Sequence, residues 1–176
     1  GAEKFINQIE ADAYSFKILH LISNYFMELN QMEKAAPYLD QLVSNYKNSV
    51  RKEELAPEKR VEYIVIIGEL YNDLKKYDIA ERWLNQALKS METVKEGRKK
   101  WQLHILGEQG LSLFMQNKHP QALAANLKVL YLDRNLSEQK GYDLNIRVAS
   151  SYVQLGRETE ARAIYNKMLK KFKNEK

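Results

Sequence analysis

The sequence predicts an all-α chain folded as a stack of helical hairpins, and two observations predict it. Only 7 Gly and 3 Pro occur in 176 residues; a β-sandwich or doubly wound sheet of this length needs many more turns, so scarce breakers favour long helices. A pattern also recurs four times, each time as a short turn followed by alanine. The segments are Glu28–Ala35, Asp73–Ala80, Met115–Ala122 and Gln154–Ala161, with alanines spaced by 45, 42 and 39 residues.

Twelve residues before each alanine, at a position that plays no part in the alignment, stand Ser23, Gly68, Gly110 and Ala149. Gly, Ala and Ser make up 30 of the 176 residues, so four small residues by chance has odds on the order of one in a thousand. Close packing explains them: where two helices of a hairpin cross nearest, large side chains at both contact points would hold the backbones apart. On this pattern each small residue faces the alanine of its own hairpin. Three residues after it comes a large knob, Phe26, Tyr71, Leu113 or Tyr152. Eight after the alanine comes Val43, Leu88, Leu130 or Leu169. The turns carry Asn30, Lys75, Asn117 and Gly156; Asn and Gly tolerate the left-handed conformation that ends a helix, and Lys75 is the exception.

Eight helices follow, at about 4–29, 32–50, 57–75, 77–95, 98–117, 119–134, 138–155 and 158–173. Pro57 and Pro120 suit first turns, where a missing N–H costs nothing. Pro37 lies in a second turn and is expected to kink or fray its helix. Gly97 and Gly141 punctuate links between repeats. Tyr165, Met168, Leu169 and Phe172, at i, i+3, i+4 and i+7 of the last helix, predict apolar residue exposed on its outer side, where no further helix follows.

These residues carry a family resemblance. Ala149-x-x-Tyr152-x-x-Leu155-Gly156-x-x-x-x-Ala161-x-x-x-Tyr165 resembles a tetratricopeptide repeat (TPR), and Gly68-x-x-Tyr71 followed by Ala80 and Ala87 resembles another. The first and third copies are weaker: Asn126 stands where the family has an aromatic residue, and Leu42 and Val129 where it has alanine. The spacing exceeds the usual 34 residues or so and is similar to the longer, roughly 40-residue variants of bacterial regulators and scaffold proteins. The resemblance implies a right-handed α-solenoid of four repeats, approximately 4–50, 57–95, 98–134 and 138–173, forming one domain over 1–176. It also implies an interaction module, with a bacterial sensor or transcriptional regulator as a reasonable host by analogy.

Composition narrows the class further. With 44% apolar and 29% charged residues, the chain reads as globular rather than disordered. Without cysteine there is no disulfide framework, thiolate zinc site or cysteine nucleophile, and the compartment stays open. A cytoplasmic setting is favoured; an exported one fits if a leader was removed, since Gly1-Ala2 resembles a cloning scar on a piece of a longer protein. The longest apolar run, 63–67, falls far short of the roughly 18 residues of a membrane helix, and no signal peptide is visible.

No motif points to catalysis. Gly107-Glu108-Gln109-Gly110 lies within a helical pattern rather than between strand and helix, so it is no phosphate loop. His20, His104 and His119 lack a second ligand at i+3 or i+4, and structural or solvated roles are the expectation. The sequence calls for no cofactor and no metal. In a TPR-like superhelix the first helix of each hairpin lines a concave groove, and the family pattern places there Lys17, His20, Asn24, Met27 and Glu28, then Glu62, Val65, Glu69, Asn72 and Asp73. His104, Gly107, Leu111, Phe114 and Met115 follow, then Asp143, Ile146, Ser150, Val153 and Gln154. The second repeat is acidic and the third apolar, which suits a peptide carrying Lys or Arg beside a large hydrophobic residue; the competing reading packs Leu111, Phe114 and Met115 against the next repeat. The positions with which some TPR domains clamp a carboxylate hold His20, Asn24, Ile66, His104 and Glu108; only Asn24 matches, and an acid cannot replace a cation there.

Formal net charge is +5. Basic clusters recur at the junctions, Arg51-Lys52, Lys59-Arg60, Arg98-Lys99-Lys100, and Lys167, Lys170, Lys171 and Lys173. Acids dilute them, and cations near helix C-termini are favoured by the dipole anyway. The leading expectation is therefore a protein or peptide partner held in the groove. Homo-oligomerisation through the last helix is the alternative, and nucleic-acid binding along a basic edge the weakest.

Overall fold

The computed structural model describes residues 13–94 and 98–174, without the side chains of 13–15, 100 and 171–174. The expected helix start at residue 4, Gly97, and the side chains of Lys100, Lys171, Phe172 and Lys173 lie outside the described residues. Among the described residues eight α-helices follow one another: α1 (Ala13–Glu28), α2 (Met32–Arg51), α3 (Pro57–Asp73), α4 (Tyr77–Ser90), α5 (Arg98–Met115), α6 (His119–Leu132), α7 (Glu138–Gln154) and α8 (Glu158–Asn174). A single 3-10 turn, Met91–Thr93, extends α4. Among the described residues there is no strand, and no helix is long and apolar enough to cross a membrane.

Local chemistry sets the helix starts. Pro57 opens α3 after an extended Ala56, and Pro120 sits in the first turn of α6, where the absent N–H is no loss. Ser137 caps α7, its hydroxyl accepting from the Lys140 amide at 3.3 Å. Pro37 does not fray α2 as expected: the helix is continuous from Met32 to Arg51, and the amides of Lys34 and Ala35 still reach the Gln31 carbonyl. The proline forfeits one bond while the turns around it hold.

All four hairpin turns are one device. Asn30, Lys75, Asn117 and Gly156 have φ of 55°, 58°, 59° and 71°. The next amide in each turn bonds the carbonyl of the knob residue: Gln31 to Phe26, Lys76 to Tyr71, Lys118 to Leu113 and Arg157 to Tyr152, at 2.8–2.9 Å. This is the Schellman closure, in which one left-handed residue satisfies carbonyls that the helix end leaves free. Lys75 adopts the same geometry as the Asn and Gly residues. Glu53, at φ 58°, closes α2 the same way, with the Glu54 amide on Ser49.

At the two glycine positions the small residue makes room for close approach, and the side chain it meets first stands one turn beyond the expected alanine. A Cβ at Gly68 would lie 2.8 Å from the Leu84 side chain, with the Ala80 carbonyl farther off at 3.7 Å. A Cβ at Gly110 would run into the side chain of Asn126. Leu84 and Asn126 each stand four residues after the hairpin alanine. Each of these two glycines thus accommodates a side chain one helical turn past the alanine, and Gly68 also has the Ala80 carbonyl within contact distance. Leu84 and Asn126 are fully buried and cannot step aside.

The hairpins stack in sequence order. First helices of successive hairpins touch one another, α1 on α3, α3 on α5 and α5 on α7, while second helices make no comparable contact. A row that is tighter on one side curves toward that side, so α1, α3, α5 and α7 line its inner face. The first junction is aromatic, with Phe16 stacked on Tyr63 at 3.6 Å, and its core runs through Leu39, Leu42, Ile64, Ile67 and Leu84. The second junction is polar.

Two stability predictions follow from this geometry. Lys75→Gly should stabilise the chain by roughly 1 kcal/mol, because glycine adopts positive φ without the Cβ penalty; a loss of stability in chemical denaturation would contradict the turn. Gly68→Ala would gain about 1 kcal/mol from helix propensity alone, yet overpacking against Leu84 should turn that into a loss of roughly 1–3 kcal/mol, read from the same denaturation curves.

An acidic cavity on the inner helix row

His20 and Asn24 lie one turn apart on α1, with nitrogens 3.0 Å from each other. Glu69, Leu70 and Asp73 come from α3, and Glu108 from α5. Together these six side chains line an open cavity of about 260 Å³ where the first three repeats meet. The helical repeat does the placing: Asn24 and Glu69 follow Ser23 and Gly68 directly, so the residue after each small one projects toward the inner face.

Behind the cavity a polar network ties α3 to α5. His104 Nε2 lies 2.6 Å from Glu69 Oε1. The Asn72 amide donates to the Glu108 carboxylate at 3.1 Å and to the Glu108 backbone carbonyl at 3.2 Å, and the Ser112 hydroxyl donates to Asn72 Oδ1 at 2.7 Å. Arg147 on α7 donates to the Gly107 carbonyl at 3.5 Å. Below this network, Gln109 donates to Asn85 at 2.6 Å, and Glu81 accepts from Gln116 and Lys118.

The electrostatics disfavour negative charge on Asp73 and Glu108. Burial, and then the charges of Glu108 and Glu69, push Asp73 up to about 6. Burial and the Glu69 charge also raise Glu108, although the Asn72 amide and the charges of His104 and Arg147 pull the other way. The hydrogen bond to Glu69 raises His104, favouring the imidazolium, whereas burial lowers His20. Among the described residues, no lysine or arginine nitrogen lies within 4.0 Å of an oxygen of Asp73 or Glu108. Asp73 is also the last residue of α3, where the helix dipole opposes negative charge.

The structure places the expected groove residues differently from one another. Asn24, Glu69 and Asp73 line the cavity, with His104 bound to Glu69. Asn72 is buried, at 4% exposure, and serves the network. Glu62 stands apart, paired with Lys59 at 2.9 Å. On α5, Met115 is exposed and Leu111 half-buried, while Phe114 sets its ring edge-on to His119 at 5.7 Å. Ile146 and Ser150 are half-buried on α7. Glu108 and Arg147 do more than sequence reasoning assigned them. The signal was a charge at a register position filled by Leu21 and Ile66 in the first two repeats.

The raised Asp73 pKa has a stability consequence. Its folded value of about 6 exceeds the unfolded value of about 4, so between them the folded chain holds more protons. Stability from this group is greatest at low pH and is lost as pH rises through about 6. Asp73→Asn should therefore raise Tm at about pH 8 and change it little at about pH 4; equal gains at both, in thermal melts followed by circular dichroism, would contradict the repulsion.

The comparison with curated proteins finds no match. Two models of the tetratricopeptide repeat match three segments, residues 18–49 and 146–174 for one and 61–90 for the other. These fall on the first, fourth and second hairpins and cover just over half of the chain. Repeats of this kind generally mediate protein–protein interaction. The third hairpin lies outside the matched segments yet shares their left-handed turn and, with the second, a glycine at the crossing. By its matched segments and its helical stack, this chain belongs to the tetratricopeptide-repeat family.

Proposed function

We propose that the chain is a non-enzymatic interaction module, in a regulatory or scaffold setting, that holds a peptide or protein segment along its inner helix row. The segment sets a lysine or arginine side chain in the acidic cavity and a large apolar side chain against Leu111 and Met115. The observation that supports this most is the cavity itself, where Glu69, Asp73 and Glu108 converge and, among the described residues, no lysine or arginine forms an ion pair with Asp73 or Glu108. An ammonium or guanidinium entering there offsets the burial and the mutual repulsion that raise Asp73 and Glu108, and charge-assisted hydrogen bonds are among the stronger ones. Among the described residues no three metal-ligating side chains form a metal site, so an organic cation suits the cavity better than a metal ion. A carboxylate ligand suits it worst.

The apolar half of the groove rests on weaker exposure. Met115 is 46% exposed and Leu111 half-buried on the helix next to the acidic strip, within reach of one peptide crossing both.

Screening a peptide array against the wild type tests the reading. Basic-apolar peptides should dominate. Asp73→Lys should weaken them about tenfold or more and flatten the salt dependence. Met115→Ala should weaken them at every salt concentration. If the strongest ligands are acidic, or if neither substitution changes binding, the partner is held on another surface.

A further inference from the structure

Leu21, Ile66, Glu108 and Arg147 share one register position, two residues before the small residue of each first helix. Tyr25, Leu70, Ser112 and Ser151 share another, two residues after it. In the second, third and fourth repeats the latter position is buried: Leu70 is 1% exposed, and Ser112 and Ser151 0%. The Ser112 hydroxyl meets Asn72 of the preceding repeat directly. On α1 the same positions stand open, with Leu21 61% and Tyr25 59% exposed, and Leu29, one turn on, is 49% exposed. The far end carries the other half. Val43, Leu88 and Leu130 are half-buried at one register position of α2, α4 and α6; their counterpart on α8, Leu169, is 59% exposed.

We propose that the outer face of α1 docks on the outer face of α8 of a second copy, so that copies join head to tail and continue the row of repeats. The two end faces are the two halves of an interface that the chain already builds three times between its own hairpins, α2 on α3, α4 on α5 and α6 on α7. A surface that fits the one is therefore present on the other. At the second junction, Glu81 on α4 accepts from Gln116 and Lys118 across the interface, at 2.8 and 2.6 Å. At the two ends the same positions hold Arg162 on α8, and Leu29 and Gln31 on the α1 side, so this register sets no like charges against one another.

Such a contact is heterologous, using different patches on the two copies, and it leaves a free face at each end for further copies. It also sets α1 of one copy beside α7 of the other, joining their inner rows into one longer groove. The proposal rests on the stack of hairpins and is independent of the peptide reading.

Sedimentation of the full chain over a range of concentrations tests it. Average mass should climb past that of a dimer as concentration rises. Tyr25→Glu, which spoils the α1 face, and Leu169→Glu, which spoils the α8 face, should each sediment as monomers. Mixed in equal amounts, the two variants should form a one-to-one dimer that grows no further, because each supplies the face the other lacks. Leu21→Glu gives an independent variant of the α1 face, and circular dichroism confirms that each variant keeps its helices. A dimer of Tyr25→Glu alone would mean α8 pairs with itself, and a dimer of Leu169→Glu alone would mean α1 does; either overturns the proposal. A wild type that stays monomeric throughout also overturns it, leaving those faces to a different molecule.

Discussion

Each hairpin turns on one residue held at positive φ, and the rest of the molecule depends on that turn. The left-handed residue reverses the chain within two positions, and the following amide closes on the knob carbonyl. With the turn fixed, the second helix can only return along the first. The small residue twelve before the alanine then falls under the side chain four after it, as Gly68 does under Leu84. Repetition of this unit lines up the first helices, and the inner row exists because every hairpin reverses in the same way.

The polar junction between the second and third repeats departs from the apolar packing around it. Asn126 is fully buried in the third hairpin, its amide reaching the Gly110 carbonyl at 3.4 Å while its Oδ1 finds no partner among the described residues. At the equivalent position Leu39 and Leu84 fill the core. A buried acceptor without a partner costs more than a leucine of similar size. The third hairpin carries this cost, and the second junction recovers specificity through directional bonds: Asn72 to Glu108, Ser112 to Asn72 and Gln109 to Asn85. Hydrogen bonds fix register more sharply than aliphatic packing does. That fits a junction that must hold Glu69, Asp73 and Glu108 in a set relation despite their mutual repulsion.

The basic total of the chain and the acidity of its cavity are compatible because they occupy different places. Several basic side chains at the junctions are already tied to acids, Lys52 to Glu54 and Lys59 to Glu62, and such exposed pairs contribute little to stability. The carboxylates of the inner row are partly desolvated, where each charge matters more. Net charge describes long-range behaviour, while the cavity is governed by what lies within a few ångströms.

Sequence alone determined the elements and their repeat. Small residues, knobs and turn residues recur at set distances because they answer local constraints: a close crossing, a filled seam, a left-handed stop. Local constraints leave periodic marks, which is why the helix ends within the described residues fall within about five residues of their expected positions. It also placed Asn24, Glu69 and Asp73 on the inner face. The tertiary structure decided which of these meet. Glu62 looked like part of the acidic strip, but Lys59 one turn away takes it up. Asn72 looked like a groove residue and is instead buried between helices. Glu108, one register position from the expected face, enters the cavity because α5 leans on α3. At the hairpin crossings, Gly68 and Gly110 meet the side chain one turn beyond the alanine most closely. In each case the deciding contact joins residues 15 to 40 positions apart or a side chain's choice among neighbours, and a periodic pattern carries no record of either.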